Sequence, residues 1–415
     1  MKNKIGILSL GCPRNLVDSE NILGRLKLKG YPIVDINKAD IAIINTCSFI
    51  KDAKMESIDA ILDLIQLKKE GKLKKIIVYG CLPQRYKYDL RKGLHDIDAF
   101  VGSVSLNHSL ERFAITPRHY AYLKICEGCI NNCSFCVIPK IKGKFRSLGI
   151  NSILDRLSLL NESRVSELNI IGQDISGYGM DLYSRPRLDE LLKKIIASSG
   201  NIGWIRLLYL YPSRITDKLL RIIRDNPRVC KYLDIPIQHI NDRILKSMNR
   251  QTKKSDILKL IAKIRKTIPG VFLRTSIIAG FPSESDSEFK ELLSFIRDTG
   301  FQRLGAFTYS REEGTQAFNS KKQIPQEIKV QRLNAVMSLQ EEVSREINKG
   351  LLGETLDVLI EEKGKDYYVG RTQYDAPEVD GEVFVNSKRK LKAGEFARVK
   401  ITDTLEYDLV GEVIA

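Results

Sequence analysis

Three cysteines, Cys12, Cys47 and Cys81, each stand at the end of a short apolar run, and stretches with helical periodicity separate the runs. The runs are Lys4–Leu10, Ala39–Asn45 and Lys75–Tyr79; Asn15–Lys29 and Lys51–Lys69 carry the helical pattern, and Ala99–Val101 supplies a fourth strand. Strands that alternate with helices read as a parallel sheet, because each crossover returns the chain to the same end. Residues 1–116 are therefore expected to form an α/β domain with a doubly wound parallel sheet. In such a sheet the three strand ends share one edge, where open α/β sheets bind ligands. Three thiols distant in sequence are thus predicted to converge. Gly11 and Gly80 precede two of them and permit tight turns. Three small buried apolar residues would be the bland account, but their equivalent positions favour a shared ligand.

The same rhythm continues through residues 117–349. Candidate strands are Tyr120–Ile125, Glu167–Ile171, Ile205–Tyr209, Tyr232–Ile235, Phe272–Ile278 and Leu304–Thr308. Helical patterns such as Ser152–Asn161, Leu188–Ser198, Asp242–Met248 and Ser285–Asp298 fill the gaps. Six successive βα units predict a partial (β/α)6 barrel, whose site belongs at the carboxyl ends of its strands. Gln326–Lys349 reads as one amphipathic helix ended by Gly350. Over residues 350–415 the pattern changes to short strands: Thr355–Ile360, Tyr367–Gly370, Glu382–Val385, Phe396–Ile401 and Leu409–Ile414. Polar turns separate them, as in a small all-β barrel.

Just after the first barrel strand stand Cys129, Cys133 and Cys136, spaced C-x3-C-x2-C. Three thiolates on a short loop suit one compact iron–sulfur cube, since soft sulfur ligands select that metal class. Three protein ligands leave one iron open to a small molecule. Cys126 extends the run to a ferredoxin-like pattern, but an electron carrier leaves the six strands unexplained. A zinc ribbon wants a longer spacer between its halves. Cys126 is read as a neighbour packed beside the loop, and Cys230, with no motif around it, as core. The basic start Met1–Lys4 precedes an apolar run too short for a secretory signal. No stretch has the apolar length of a membrane helix. The expectation is a cytoplasmic chain in which six of the eight cysteines bind metal, not a disulfide framework.

Lys and Arg number 67 against 51 Asp and Glu, a net charge of +16, which favours a polyanionic partner. The tail departs from this balance: residues 351–415 hold 9 Lys and Arg against 14 Asp and Glu, a net of −5. A barrel that binds RNA should be basic. An acidic one suits a basic protein partner, or is a solvated face.

Together these features resemble the radical S-adenosylmethionine (SAM) methylthiotransferases. C-x3-C-x2-C with Phe135 before the last cysteine is similar to the radical SAM motif, and residues 350–415 are similar to a TRAM domain. The resemblance covers essentially the whole chain. Ser9–Glu20, Ile235–His239, Glu312–Thr315 and Arg371–Gly381 resemble the branch that acts on the twelfth small-subunit ribosomal protein. The tRNA-modifying branch typically carries Gln-Ser-Gly-Ser where Gln238-His239 stands. Cys126 departs from the family, where Ser is expected.

The resemblance implies two [4Fe–4S] clusters, on Cys12, Cys47 and Cys81 and on Cys129, Cys133 and Cys136, with SAM at the open iron of the second. One-electron cleavage of SAM yields a 5′-deoxyadenosyl radical that removes hydrogen from an unactivated carbon; the first cluster carries the sulfur. The implied product is a methylthio group on the β-carbon of an aspartate in the ribosomal protein. With SAM across the strand ends, Gly172, Gln173 and Asp174 are candidates for its amino group, and Arg274 and Gly280 for its carboxylate and adenine. Gln238 and His239 are candidates to face the substrate. The implied partners are an external electron donor and the ribosomal protein, free or in the assembling small subunit. The alternatives are a tRNA methylthiotransferase and, in another class, a non-enzymatic iron–sulfur electron carrier or RNA-binding sensor.

Overall fold

A computed structural model of the chain describes residues 2–102 and 111–414. In the first unit β1 (Ile5–Ser9), α1 (Pro13–Leu28), β2 (Ile41–Thr46), α2 (Lys51–Lys69), β3 (Lys75–Gly80), α3 (Cys81–Gly93) and β4 (Ala99–Val101) follow one another. The four strands are parallel and lie in the order β1-β2-β3-β4. Ile33 adds a parallel bridge to Ile5, on the edge of β1 away from β2. The chain therefore steps outward from β1 to residue 33 and then back past it to β2, so the winding reverses at β1, as a doubly wound sheet requires. Ile22 and Leu26 of α1 cover one face with Ile5, Ile43 and Tyr79. Ile61, Leu64 and Ile65 of α2 and Leu90 of α3 cover the other with Ala42, Ile44, Ile76 and Val78. The alternation of strand residues between these two clusters follows from the two-residue period of the pleat.

The second unit begins with β5 (Tyr120–Lys124). A two-strand ribbon, β6 (Cys126–Glu127) and β7 (Arg146–Ser147), brackets the cysteine loop and α4 (Ile138–Lys142). Then come α5 (Ile150–Glu162), β8 (Glu167–Ile171), α6 (Met180–Tyr183), α7 (Leu188–Ser198), β9 (Trp204–Leu207), α8 (Asp217–Asp225), β10 (Val229–Asp234), α9 (Asp242–Ser247), α10 (Lys254–Thr267), β11 (Phe272–Ala279), α11 (Asp286–Thr299) and β12 (Arg303–Thr308). The parallel order β5-β8-β9-β10-β11-β12 leaves β5 and β12 as free edges, an open six-strand barrel, and α1 packs along β5. Leu168 and Ile170 of β8 point to the outer helices, among Leu157, Leu191 and Leu192. The opposite side of the same strands is polar and buried, with Glu167, Asn169 and Arg206.

Helix α12 (Gln326–Lys349) leads into β13 (Thr355–Lys363), β14 (Tyr368–Thr372), β15 (Val383–Asn386), β16 (Phe396–Thr404) and β17 (Leu409–Val413), which close into a small barrel. The β14–β15 loop plugs the amino end of the central barrel. Tyr374 stacks on Phe272, the first residue of β11, with ring centres 4.0 Å apart. Asp375 accepts from Arg303 at 2.8 Å and Asp380 from Tyr232 at 2.6 Å. Arg371 reaches Glu167 at 2.6 Å, and Glu167 also accepts from Arg206 at 2.7 Å.

This plug corrects one expectation. Of the tail's carboxylates, Glu361, Asp375, Asp380, Glu395, Glu406 and Asp408 are buried or half-buried, and eight exposed ones stand against eight exposed Lys and Arg. The open face of the barrel is close to neutral. Its acidity is largely internal, so it gives no ground for choosing a basic partner. Among the described residues no helix is long and apolar enough to cross a membrane.

Candidate functional site between the two α/β units

Cys12 caps the amino end of α1 and Cys81 opens α3. Cys47 follows β2. Two of the three thiols thus sit where unpaired helix N–H groups favour negative charge. Gly11 has φ +88, and a Cβ there would lie 2.8 Å from Cys47 Cβ. Gly80 has φ +101, and its Cβ would lie 2.3 Å from Asn45 Oδ1. Both glycines therefore serve the close approach of the cysteine loops as well as the turn.

Asn15 stitches these loops together. Its Nδ2 donates to Leu10 O at 3.1 Å and Thr46 O at 3.2 Å, while the Cys81 thiol points at its Oδ1 at 3.7 Å. Ser57 Oγ receives Cys47 N at 3.0 Å. Arg14 Nε donates to Cys12 Sγ at 3.3 Å. Burial pushes the Cys12 thiol up, but the adjacent Arg14 charge and the Asn15 backbone N–H outweigh it and bring the thiol below its ordinary value. Burial pushes Cys47 up and Cys81 up to about 12.

The second loop is anchored from outside. Ser134 N donates to Met248 O at 3.0 Å, Ser134 Oγ to Ser247 O at 2.7 Å, and Asn249 Nδ2 to Asn132 O at 2.6 Å. Asn131 Nδ2 points at Cys129 Sγ at 3.4 Å and at Asp174 Oδ2 at 2.8 Å. Burial pushes Cys129 up to about 11 and Cys136 up to about 12. Cys81 packs against Val137 and Ile141, directly after the second loop. The two triads therefore meet: all six thiols line one cavity of about 370 Å³. Gln173, Asp174, Tyr209 and Gln238 bound it from the carboxyl ends of the barrel strands.

The other expected site residues divide. Gln173 and Asp174 line the cavity; Gly172, Arg274, Gly280 and His239 are not among its lining. A Cβ on Gly172 would lie 2.4 Å from Cys126 Sγ, so Gly172 and Cys126 are packing partners. Arg274 is at the plug, bound to Asp234 and Asp380 at 3.2 Å each; its place early in β11 sends it down the barrel, away from the strand ends. Gly280 packs on α12, where its Cβ would meet Lys329 Cγ at 2.4 Å. His239 is fully buried, with Nδ1 accepting from Asn241 N at 3.0 Å. Asp174 is engaged by Asn131, Arg214 and Ser176. Gln173 Nε2 donates to Glu127 at 2.8 Å, leaving its buried Oε1 without a partner among the described residues. Cys230 is core, 1% exposed.

Arg14, Asn15, Asn131 and Arg250 also reach the site, though the cysteine motifs do not include them. Arg250 lines the cavity, its Nη1 3.9 Å from Cys133 Sγ, and its buried Nε has no partner among the described residues. Its guanidinium lies 4.3 Å from the centre of the Tyr211 ring. Proximity in the chain, of Arg14 and Asn15 to Cys12 and of Asn131 to Cys129, is the signal the sequence offers; the Arg250 contact depends on tertiary packing alone.

Six thiols in two groups, with N–H donors on Cys12 and Cys129 and apolar walls, fit two iron–sulfur cubes, each of which spreads three thiolates over three irons. Among the described residues no three His, Cys, Asp or Glu groups form a site for one metal ion.

Comparison with known proteins agrees with this architecture. The family model described as the Radical SAM superfamily matches residues 123–296, that of the uncharacterized protein family UPF0004 matches residues 4–102, and that of the TRAM domain matches residues 352–414. In fold, the radical S-adenosylmethionine methyltransferase TsrM from Kitasatospora setae, solved with cobalamin and a [4Fe-4S] cluster, is similar at a TM-score of 0.56. It has 10% identity and covers 89% of this chain and 81% of its own. Fold and site thus define a radical SAM enzyme, using SAM and [4Fe–4S] clusters.

The protein named ribosomal protein uS12 methylthiotransferase RimO of Clostridioides difficile is 46% identical over 439 residues, covering 99% of each chain. Its counterpart in a Thermoanaerobacter species is 45% identical, covering 99% of this chain and 100% of its own. The chain belongs to the RimO family of radical SAM methylthiotransferases.

Proposed function

We propose that the chain attaches a methylthio group to the β-carbon of an aspartate in the small-subunit ribosomal protein uS12. Cys129, Cys133 and Cys136 hold the cluster that binds SAM, and Cys12, Cys47 and Cys81 hold the cluster that carries the sulfur. The observation that carries this reading is that both triads line one cavity at the carboxyl edge of the central barrel. The relatives' stated action on uS12 supports the substrate. The division into residues 1–116, 117–349 and 350–415 assigns one cluster to each α/β unit.

Bound at these thiols, [4Fe–4S] chemistry supplies the single electron that cleaves SAM. The side chains then have distinct tasks. Gln173 Oε1 accepts from the SAM ammonium. Arg250, in place of Arg274, donates its free Nε to the carboxylate. Asp174 holds Asn131 against Cys129. Phe49 and Phe307, 40% and 50% exposed on the cavity lining, offer apolar surface to an entering polypeptide. An external one-electron donor completes the system, and uS12, free or in the assembling small subunit, is met in the cytoplasm.

Mass spectrometry of uS12 from cells with and without this chain tests the substrate; a methylthio modification that persists without it refutes the assignment. Iron and sulfide content of anaerobic protein with each cysteine triad replaced in turn tests the ligands. Each triple replacement should remove half of both, and loss from neither would sink the cluster assignment.

A further inference from the structure

Arg14 occupies the second position of α1, directly after Pro13. Proline at the first helical position fixes where the helix begins, and with it the direction of the next side chain. That side chain leaves its own unit. Its Nε donates to Cys12 Sγ at 3.3 Å, and its Nη1 donates to Gly172 O, beyond the end of β8, at 3.0 Å. Its guanidinium carbon lies 4.4 Å from the centre of the Tyr209 ring, beyond the end of β9. One planar cation therefore spans a thiol of the first unit and two strand ends of the second.

The receiving side is built to hold still. Tyr209 sits at φ +65, an uncommon conformation for an aromatic residue. Its N–H donates to Asp234 Oδ2 at 3.0 Å, and its carbonyl accepts from Ile175 N at 3.1 Å. Gly172 packs close to Cys126, where an added Cβ would lie 2.4 Å from the sulfur. Among the described residues no carboxylate is hydrogen-bonded to Arg14, whereas the nearby Lys142 is paired with Asp18 at 3.2 Å.

The geometry points to Arg14 as a positioning residue that fixes the Cys12/Cys47/Cys81 cluster over the strand ends and, through its hydrogen bond to Cys12 sulfur, raises that cluster's reduction potential. The inference rests on the cluster assignment above. A donor on a ligand sulfur withdraws electron density and favours the reduced cluster. Lysine can supply the charge at one point but cannot bridge sulfur, carbonyl and ring at once.

The test uses full-length chains that retain one cluster each. With Cys129, Cys133 and Cys136 replaced by Ala, Arg14→Met should lower the midpoint potential of the remaining cluster and shift its electron paramagnetic resonance signal. Arg14→Lys should recover part of the potential. With Cys12, Cys47 and Cys81 replaced instead, Arg14→Met should shift the potential much less, since the sulfur that Arg14 hydrogen-bonds belongs to Cys12. In the six-cysteine enzyme, Arg14→Met should lower methylthio product per 5′-deoxyadenosine released by at least tenfold. A full complement of iron with an unchanged potential overturns the role of Arg14 alone, as does an equal shift in both backgrounds. Absence of iron from the Cys12/Cys47/Cys81 protein with native Arg14 overturns the cluster assignment itself, and the proposal with it.

Discussion

Removing the carboxylate of Glu312 should unlatch the first unit from the central barrel. Glu312 lies in the loop after β12, with its side chain 2% exposed. It accepts from Lys54 Nζ of α2 at 2.9 Å, Arg85 Nη1 of α3 at 2.9 Å and Ser310 Oγ at 2.7 Å. Arg85 is 7% exposed, so Glu312→Leu leaves a buried guanidinium without its counter-charge. Breaking such a pair costs about 3–5 kcal/mol. Arg85 also donates to Ser48 O and Glu313 O, which places the cost near the lower end, about 3 kcal/mol. Lys54, 23% exposed, adds less than about 1 kcal/mol. At about 1.4 kcal/mol per decade, the opening equilibrium rises on the order of 10²-fold. Amide hydrogen exchange reads this directly: protection of Lys51 N–H, which donates to Ser310 Oγ at 3.2 Å, should fall by that factor. Glu312→Leu combined with Arg85→Leu should lose less, since no buried cation is stranded. Protection unchanged within about threefold, against the expected 10²-fold, would refute the latch.

Gly80→Ala forces a side chain into φ +101 and onto Asn45 Oδ1; it should cost about 1–3 kcal/mol in thermal or urea unfolding and lower iron bound by the first triad. Cys126→Ala should leave iron content intact, and should rescue Gly172→Ala in unfolding assays, because it deletes the sulfur that the new methyl would strike; loss of iron would make Cys126 a ligand. Glu361 bears on pH. Burial pushes its carboxyl up, but the hydrogen bond with His119 and the Arg371 charge override this and hold it at about 2. A depressed carboxyl contributes stability above its unfolded value, near 4.5, and loses it as pH falls through about 2. The seating of the small barrel should therefore weaken over that interval, by at most about 3 kcal/mol, and Glu361→Gln should flatten the dependence measured by pH-dependent unfolding.

Much of this arrangement is legible in the sequence because two periodicities and one spacing rule carry it. Lys51–Lys69 and Gln326–Lys349 coincide with observed helices, and Glu167–Ile171 with β8. Convergence of Cys12, Cys47 and Cys81 follows from parallel pairing alone, since parallel strands end at one edge. Arg274 shows what such rules miss. It lies in a strand expected to lead to the site, but its register in β11 places it beside Asp234 at the plug. Its place third in the strand, near the amino end, is legible in the sequence; the filling of that end by the β14–β15 loop is tertiary packing that local pattern does not encode. Arg250 is the converse: it reaches the cavity from beyond α9, with no local signal.

Charge composition fails for a related reason. Counting residues treats Asp375, Asp380 and Glu361 as surface, yet each faces an arginine across or within the plug. An ion pair formed inside the fold cancels in the field a partner meets, although it still counts in the sequence. The cavity poses the opposite case. Thiolate-ligated clusters are electron-rich, and two of them in one chamber repel unless cations or helix N-termini intervene. Lys124 and Lys142 are matched by Asp18 and Glu127 beneath the site and offset one another. Arg14, hydrogen-bonded to sulfur and to a carbonyl, Arg250 beside Cys133, and the amino ends of α1 and α3 are positive groups that face the thiols. The charge that matters for the chemistry is thus local and positive, at the meeting of two units whose tail is acidic overall.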